Sequence, residues 1–432
     1  MAKKVLMLSH GVTGVTGFAN QLWLQATALK EAGYEVLIAH RDYRGEPFKV
    51  PIGSGITLQS GKSIEGMHML PLGNAQWGDD IMPYYIQHYK PDYVHTLGDI
   101  WCYQYLRGVP KKHPWKWLGH YVFDTENMVG FWNESIAASD ISVVPSKNSF
   151  ELCKSKGHKN IKYVPHGINT KTFVPCTHEE KLQYRKEMGI PEDAFVVGMV
   201  AHNQYRKMVN RLVDSFEMFV KNNPRSILLM HCVPRDSTGW DLPVILKDKN
   251  LLSNVMFTDK SSKGFGDIHV PESAMRKLYC TMDVHALSTG GEGFGIPLIE
   301  SLACGIPTVA PAYTTPKEFF CDEVEVDGKK LLKNVRGFAV PYTEYETHHT
   351  GGTWCKVDRI ELAKTLQYVK DNSGEAKSMA MKGMKFVQEN YDNEVVKKQW
   401  VDLYNNFDEF VAGLEAESQV AGLRALRINP NG

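Results

Sequence analysis

One stretch of the chain, residues 290–310, constrains the fold more than any other. It opens with the glycine-rich turn Gly-Gly-Glu-Gly-Phe-Gly, continues with an apolar segment and ends with a β-branched pair that follows Gly305 and a proline. This order predicts a loop, a helix that ends at Gly305 and then a buried strand, which is a building unit of α/β folds. Two carboxylates, Glu292 in the turn and Glu300 on the helix, are spaced to hold two parts of one polar ligand.

The glycines at the start of this helix indicate what kind of ligand the turn can accept. Glycine lets backbone N–H groups approach a ligand closely. The N-terminus of a helix attracts anions, phosphate above all. The segment therefore predicts a site for a polar ligand that carries phosphate.

The same segment resembles a known enzyme signature. The two acids, Gly293, Gly295, Pro297 and the following Ala-Cys-Gly-Ile-Pro resemble the E-x7-E motif of retaining, nucleotide-sugar-dependent glycosyltransferases of the GT-B fold, specifically glycosyltransferase family 4. The resemblance implies an α/β chain of two facing Rossmann-like domains, with a C-terminal helix that crosses back to the first domain. It also implies transfer of a hexose, with retention, from a UDP- or GDP-sugar to a hydroxyl group.

Alternation of apolar strands, glycine turns and helices occurs twice along the chain. It begins at residues 5–8 and restarts at residues 195–200, which predicts two Rossmann-like domains. We expect an N-terminal acceptor domain over residues 1–173, a C-terminal donor domain over 174–390, and a crossing helix with a tail over 391–432. Residues 323–357 are rich in charges and turn residues, and there we expect irregular structure around one short strand at 337–340.

The resemblance also implies roles for the residues of the motif. Glu292 is expected at the donor sugar, for positioning and charge stabilisation and without a covalent intermediate. Glu300 is expected to accept hydrogen bonds from the ribose hydroxyls of the nucleotide. Backbone N–H groups facing the sugar and the distal phosphate are expected from the residues between them: Gly293, Phe294, Gly295 and Ile296.

A donor diphosphate needs cations, and a basic pair follows the strand at residues 195–200. Lys207 matches the lysine of the family's diphosphate clamp. His202 stands where related sequences often have the arginine, so Arg206 is the candidate substitute. Both cations would neutralise the charge that develops on the leaving nucleoside diphosphate.

The first domain contributes further candidates. Gly14 and Gly17 match the family's glycine loop near the acceptor and the phosphates. His120 and Asp124 match the place where the family's strand delivers a polar residue to the sugar, and the sequence does not choose between them. A purely structural His120, satisfied inside the fold, is an equally open interpretation.

Motifs for a bound metal are missing from the sequence. It contains no Asp-x-Asp, and its histidines form no pair with convincing metal-ligand spacing. Its eight cysteines are scattered, and no two are spaced as in a zinc knuckle or a redox pair. We therefore expect no catalytic metal, no cofactor besides the nucleotide-sugar substrate, and a reducing, cytoplasmic setting.

Composition bounds the remaining partners. Lys plus Arg and Asp plus Glu both number 49 among 432 residues, and this zero net charge argues against a dedicated nucleic-acid-binding protein. The N-terminal residues are typical of a first buried strand and not of a signal peptide. No apolar run approaches the ~18–20 residues of a membrane span, while peripheral contact with a membrane stays open.

The acceptor hydroxyl, which could belong to a glycan, a lipid-linked or another molecule, is not determined by the sequence. Three alternatives to the leading hypothesis stay open. One keeps the chemistry and moves the acceptor to a modified nucleobase in DNA. Another is a non-catalytic GT-B protein that binds a glycan or a partner, against which the carboxylate pair and Lys207 argue. The last is an epimerase or hydrolase on the same fold, which would need its acids in another arrangement.

Overall fold

The computed structural model describes residues 2–9, 16–40, 43, 45–58, 61–258, 270–326, 329–348 and 351–428. Contacts divide the chain into two compact units. Unit 1 comprises Met1–Val122, Met128–Pro165 and Val396–Gly432, and unit 2 comprises Phe123–Asn127 and His166–Val395.

Unit 1 is built on an eight-stranded sheet. Its strands are β1 (Lys4–Leu8), β2 (Glu35–His40), β3 (Phe48–Lys49), β4 (His68–Pro71), β5 (Tyr93–Gly98), β6 (Lys116–Tyr121), β7 (Ile141–Val144) and β8 (Ile161–Tyr163). The order across the sheet is β3-β4-β2-β1-β5-β6-β7-β8, and every neighbouring pair is parallel apart from β3 and β4. The central strands are buried on both faces, which explains why they are nearly continuous apolar runs.

Helices connect these parallel strands. They are α1 (Gly17–Glu31), α2 (Met82–Tyr89), α3 (Gly130–Ala138) and α4 (Lys147–Ser155), with a short 3₁₀ helix at Gln104–Gly108. The first helix begins at Gly17 because Thr16 caps it. The Thr16 side chain accepts a hydrogen bond from the Ala19 N–H at 3.2 Å, which satisfies one of the amides that a helix start leaves open.

Unit 2 contains a six-stranded parallel sheet. Its strands are β9 (Phe195–Val200), β10 (Ser226–His231), β11 (Val255–Phe257), β12 (Val284–Ala286), β13 (Thr308–Pro311) and β16 (Phe338–Val340). Their order is β11-β10-β9-β12-β13-β16. Taken in sequence, this is the Rossmann order 3-2-1-4-5-6, and it reverses direction between β9 and β12. Ligands of open α/β sheets bind at such a switch point, outside the carboxyl ends of the strands.

Eight helices belong wholly to unit 2 among the residues that the structure describes. They are α5 (His178–Met188), α6 (Val209–Asn222), α7 (Leu242–Asp248), α8 (Glu272–Thr281), α9 (Ile296–Ala303), α10 (Pro316–Phe320), α11 (Arg359–Asp371) and α12 (Ser373–Asn390), with 3₁₀ turns at Tyr205–Lys207 and Leu252–Asn254. Apolar side chains of the helices and of both sheet faces form the core of this unit.

The chain returns to unit 1 through its last two helices, α13 (Asn393–Asn405) and α14 (Phe407–Ile428). Val396, Trp400 and Tyr404 of α13 are buried in the core of unit 1. The Tyr404 hydroxyl lies 3.0 Å from Nδ1 of His95 on β5. The predicted C-terminal helix that packs on the first domain is therefore confirmed, as is the α/β fold class.

The units divide at slightly different positions from those expected from the sequence. The first change of unit lies after Pro165, before the expected end of the first domain at residue 173. Residues 166–173 join unit 2 because the Ile168 N–H donates to the Tyr391 carbonyl and the Asn393 N–H donates to the Ile168 carbonyl, both at 2.9 Å. A short excursion, residues 123–127, also belongs to unit 2.

The charged region before α11 contains more regular structure than expected. The predicted strand is present as β16, but the region also forms two antiparallel hairpins, β14 (Asp322–Val326) with β15 (Lys329–Lys333) and β17 (Tyr342–Thr347) with β18 (Thr353–Val357). The expectation of a single strand was wrong. The two strands of a hairpin pair through their backbone groups and need no apolar side chains. Exposed polar strands such as β17 therefore lack the apolar pattern by which buried strands are recognised in a sequence.

Candidate active site

Two loops of unit 2 converge at the switch point of its sheet. The loop after β9 contains Arg206 and Lys207, and the loop after β12 contains Glu292. The loops are bonded to each other, since the Gly290 N–H donates to the Arg206 carbonyl at 2.7 Å and the Ser288 hydroxyl donates to the Lys207 carbonyl at 3.1 Å. The sheet order therefore brings together residues that lie far apart in the sequence.

Glu292 is the buried carboxylate of this site, with 4% of its surface exposed. The Lys207 ammonium lies 2.5 Å from its Oε1, and an Arg206 guanidinium nitrogen lies 3.5 Å from its Oε2. Removing either sign of charge from this buried cluster would leave the other without compensation, which is strongly destabilising.

The protonation of this cluster follows from burial and from its charges. Burial acts to raise the pKa of Glu292, but Lys207 and Arg206 outweigh it and hold that pKa below its usual value. Burial lowers the pKa of Lys207 to about 8, with a further lowering from Arg206 and an opposing effect from Glu292. At neutral pH Glu292 is an anion, and Lys207 is a cation that titrates close to physiological pH.

Asp124 completes the cluster. It lies in the excursion 123–127 of unit 2, and its Oδ2 is 3.0 Å from Nε of Arg206. Arg206 also donates to the Gly291 carbonyl. A side chain at Gly291 would collide with the Asp124 carbonyl, so glycine is required there for the close approach of the two backbones.

Two threonines hold the backbone of Glu292. The Glu292 N–H donates to the Thr314 hydroxyl at 3.0 Å, and the Thr315 hydroxyl donates to the Glu292 carbonyl at 2.8 Å. Both follow β13, the neighbour of β12 in the sheet. Sequence reasoning missed them, although a polar pair in the loop after a buried strand was a usable signal.

The glycine turn ends at α9 as the sequence predicts. Gly295 precedes the helix with φ of 93°, a left-handed conformation that favours glycine. The Phe294 ring is buried against His166 and Phe319, with ring centroids 5.0 Å and 5.3 Å apart. Phe294 therefore anchors the turn, and what it and its neighbours Gly293 and Ile296 can offer a ligand is the backbone.

Glu300 lies on the second turn of α9. The Tyr279 hydroxyl donates to its Oε2 at 2.8 Å, which orients the carboxylate. Tyr279 itself is fully buried, and burial raises the pKa of its hydroxyl well above the usual value, so it remains a donor. This tyrosine was also missed, because it is distant in the sequence and follows an ordinary helical pattern.

The other candidates lie in unit 1. His120 is fully buried at the end of β6, where its Nδ1 lies 3.2 Å from the Gln25 amide nitrogen and its ring packs on Trp400 at a centroid distance of 5.1 Å. Gly17 is the first residue of α1. Gly14 lies outside the described residues. The structure thus brings Glu292, Arg206, Lys207 and Asp124 together, whereas His120 is a core residue of the other unit.

The described part of the chain lacks a metal-binding cluster and a membrane-spanning helix. Within it, no group of three His, Cys, Asp or Glu side chains is arranged to hold a metal ion. None of the described helices combines the length and the apolar character needed to cross a lipid bilayer.

Comparison with known proteins identifies a family segment and several relatives. Residues 268–336 match the model of the family described as glycosyl transferases group 1. The alpha-monoglucosyldiacylglycerol synthase of Acholeplasma laidlawii is 27% identical over 39% of this chain and 40% of its own length. A D-inositol 3-phosphate glycosyltransferase of Corynebacterium urealyticum is 25% identical over 40% of this chain and 39% of its own length. The chain therefore spans less than half of the length of these relatives.

Solved structures extend the likeness to nearly the whole chain. Sucrose-phosphate synthase from Thermosynechococcus elongatus superposes with a TM-score of 0.72 at 18% identity, covering 95% of this chain and 100% of that protein. HepE from Anabaena, solved with UDP and glucose, superposes with a TM-score of 0.67 at 13% identity, covering 94% and 100%. At sequence identities this low, the structural similarity shows a shared fold and does not show a shared activity. The chain thus has the GT-B fold, and within it residues 268–336 match the model of the glycosyl transferases group 1 family.

Proposed function

We propose that the protein is a retaining glycosyltransferase that moves a hexose from a UDP- or GDP-sugar to a hydroxyl group of an acceptor. The observation that carries the proposal is the buried Glu292 carboxylate, held by Lys207 and Arg206 at the switch point of a Rossmann-like sheet. The helix N-terminus at Gly295 lies next to it in the same loop. These are the groups that a sugar diphosphate requires.

The two cations stabilise the leaving group. When the bond between the sugar and the diphosphate breaks, negative charge develops on the phosphate oxygens, and fixed positive groups in a buried site lower the energy of that state. Without a ligand, Lys207 is paired with Glu292 and Arg206 with Asp124. The diphosphate takes over part of both pairings, so each cation has an anionic partner with and without the ligand.

Glu292 positions the sugar, and Glu300 positions the nucleotide. A carboxylate accepts two hydrogen bonds from neighbouring hydroxyls, which suits a hexose at Glu292 and a ribose at Glu300. Tyr279 orients Glu300 before the nucleotide arrives, which reduces the cost of ordering on binding. Transfer proceeds without a covalent intermediate at Glu292. Asp124 is a further candidate to face the sugar, and His120 acts structurally.

Relatives support the choice of donors. HepE has been solved with UDP-glucose, and a relative in Corynebacterium glutamicum, 24% identical over 35% of this chain, is named as a GDP-mannose-dependent mannosyltransferase. The proposal includes no metal, because Lys207 and Arg206 already supply cations for the diphosphate. It also places the enzyme in the cytoplasm, where its eight free cysteines would stay reduced.

Calorimetric titration with UDP, GDP and ADP in a buffer with a chelator tests the proposal. We expect UDP or GDP to bind in preference to ADP, and Glu300→Gln to weaken that binding by about tenfold, which is the worth of hydrogen bonds to a charged group. Glu389→Gln, on the exposed end of α12, is the matched control. If none of the nucleotides bound, or if binding required added metal, the proposal as stated would be wrong.

Retention is tested separately. The wild-type protein is incubated with UDP-glucose or GDP-mannose, whichever nucleotide binds, and slow transfer to water is followed by NMR. Release of the α-anomer first supports retention, and release of the β-anomer first contradicts it. Glu292→Gln should abolish the release of either anomer.

A further inference from the structure

The hairpin β17–β18 carries an aromatic platform, which is formed by the side chains of Tyr342 and Tyr345. We propose that this platform binds a sugar ring of the acceptor, so that the acceptor is a glycan of two or more residues. The proposal rests on the proposed function for the transfer itself. It goes beyond that function in naming the acceptor class and in placing part of its site on unit 2.

A bulge places the two tyrosines side by side. In a regular strand, residues three apart point to opposite faces. The pairing of β17 with β18 shifts register between Tyr342 and Glu344, and such bulges redirect side chains next to functional sites. As a result the two rings lie 5.1 Å apart and their hydroxyl oxygens lie 2.6 Å apart.

The platform is open to a ligand. Tyr345 is 52% exposed and Tyr342 is partly exposed. Below them, the buried ring of Tyr313 lies 5.5 Å from Tyr342 and 5.6 Å from Tyr345. Aromatic rings kept exposed on a supporting ring offer a large apolar contact with little loss of side-chain freedom on binding.

The supporting ring joins the platform to the candidate active site. A side chain added at Gly291 would contact the Tyr313 ring, and Thr314, the next residue, holds the Glu292 backbone. Within unit 2, the platform therefore lies one layer of side chains away from the loop that carries Glu292. An acceptor whose reacting hydroxyl is at that loop has its next residues near the platform.

A charged pair lies beside Tyr313, the ring that supports the platform. Lys317 lies 2.7 Å from Oε1 of Glu126, and Glu126 donates its backbone N–H to the Tyr313 hydroxyl at 3.2 Å. The pKa of Tyr342 is raised, first by its hydrogen bond with Tyr345 and also by the nearby charge of Glu126. Oε1 of Glu126 also accepts the Thr314 N–H at 3.3 Å, which holds the carboxylate beside the supporting ring, and a carboxylate accepts hydrogen bonds from hydroxyl groups.

The hairpin is held in place before any ligand binds. The Thr353 N–H donates to the Thr125 hydroxyl at 2.8 Å and to the Asn127 side-chain oxygen at 2.9 Å. The Tyr313 hydroxyl donates to the Thr353 carbonyl at 2.9 Å. This network fixes the excursion 123–127, the hairpin and Tyr313 to one another, so binding costs little further ordering.

A sugar ring is the occupant that matches these groups. A pyranose has an apolar face of C–H groups, which packs on an aromatic ring, and hydroxyls around its edge, which bond to a carboxylate and an ammonium. A stable protein partner needs about 800 Å² of interface on each side, far more than two tyrosine side chains provide. A nucleobase also stacks on aromatic rings, and the experiment distinguishes it.

The test measures oligosaccharide binding by calorimetry for maltopentaose, cellopentaose and α-1,6-mannopentaose, with UDP and GDP titrated in parallel. We expect at least one oligosaccharide to bind the wild-type protein. Tyr345→Ala should weaken it by about tenfold, the size of one aromatic stacking contact. Tyr345→Phe keeps the ring, so its affinity for the oligosaccharide should stay within about twofold of the wild-type value. Glu126→Gln should weaken oligosaccharide binding. The exposed Tyr368→Ala on α11 is the matched control, and nucleotide affinity should not change.

Failure of the platform and failure of the proposed function give different results. The platform proposal is overturned if no oligosaccharide binds, or if Tyr345→Ala binds the oligosaccharide as tightly as the wild type does. It is also overturned if Tyr345→Ala lowers the affinity for the nucleotide and not that for the oligosaccharide. If an oligosaccharide binds through Tyr345 while no nucleotide binds, the glycan site stands and the transferase function fails.

Discussion

Lys207 and Glu292 form a buried ion pair at 2.5 Å between the loops that follow β9 and β12 of unit 2. The pair connects the two neighbouring strands at which the sheet reverses its order. Neither charge is well hydrated, so each depends on the other.

Glu292→Gln should destabilise unit 2 at neutral pH. The change leaves the buried Lys207 cation without its nearest counter-charge, a loss of about 3 kcal/mol for such pairs. Glu292 is one of the groups that raise the pKa of Lys207, so in the variant that pKa lies below its wild-type value of about 8. The melting temperature should fall at pH 7, and the difference from the wild type should shrink at pH 9, where Lys207 is neutral in the variant and has largely lost its charge in the wild type. Glu375→Gln on the exposed start of α12 is the control, and equal melting temperatures of Glu292→Gln and wild type at pH 7 would contradict the pairing.

Nucleotide binding should take up protons near pH 8. The pKa of Lys207 is lowered to about 8 in the ligand-free protein, and a bound diphosphate must raise it. Between the two values the complex holds more protons than the free protein, so affinity falls as pH rises through this window. Calorimetry at pH 8 in two buffers of different ionisation enthalpy measures the uptake. Lys207→Arg should abolish it, and uptake that persists in this variant would assign it to another group.

Asp124→Asn should strengthen the binding of the nucleoside diphosphate by several-fold. The Asp124 carboxylate competes with phosphate for Arg206, and asparagine keeps the shape without the charge. Affinity is measured by titration at low salt, since screening weakens the effect of such charges. Asp140→Asn in unit 1 is a control of the same chemistry. Weaker binding in Asp124→Asn would show that the carboxylate serves to hold Arg206 in place.

Tyr279→Phe should weaken nucleotide binding through Glu300. Loss of the 2.8 Å hydrogen bond frees the carboxylate to rotate, and a bond to a charged group is worth about 1.5–3 kcal/mol. If Glu300 binds the ribose, both Tyr279→Phe and Glu300→Gln should discriminate less between UDP and 2′-deoxy-UDP than the wild type does. Unchanged discrimination would mean that Glu300 does not contact the 2′-hydroxyl.

Trp400→Ala should destabilise unit 1. Trp400 is fully buried against His95 and His120, with ring centroids 5.2 Å and 5.1 Å apart. Truncating such a residue costs about 3–5 kcal/mol. Thermal unfolding followed by near-ultraviolet circular dichroism should show the loss, and the exposed Trp101→Ala is the control. A stability equal to that of the wild type would mean that α13 does not form part of this core.

Local signals in the sequence were sufficient to determine several structural elements. The bounds of helix α5 follow from local signals, because Thr177 and Glu180 form a capping box at its start and Gly189 closes its end in the left-handed conformation. The α/β class and the strand–turn–helix organisation around Glu292 likewise follow from apolar runs and glycines. These patterns depend on neighbours in the chain, so they can be read without knowing the fold.

Contacts between distant residues were decided only by the tertiary structure. The sequence offered His120 and Asp124 as equal candidates, and the fold buries the first in unit 1 and pairs the second with Arg206 in unit 2. Similarly, only the bulge in β17 aligns Tyr342 with Tyr345. The sequence by itself determined the fold class, the motif and the residues available for chemistry. Which of these residues meet depended on strand order and loop packing, because such contacts join segments that no local pattern connects.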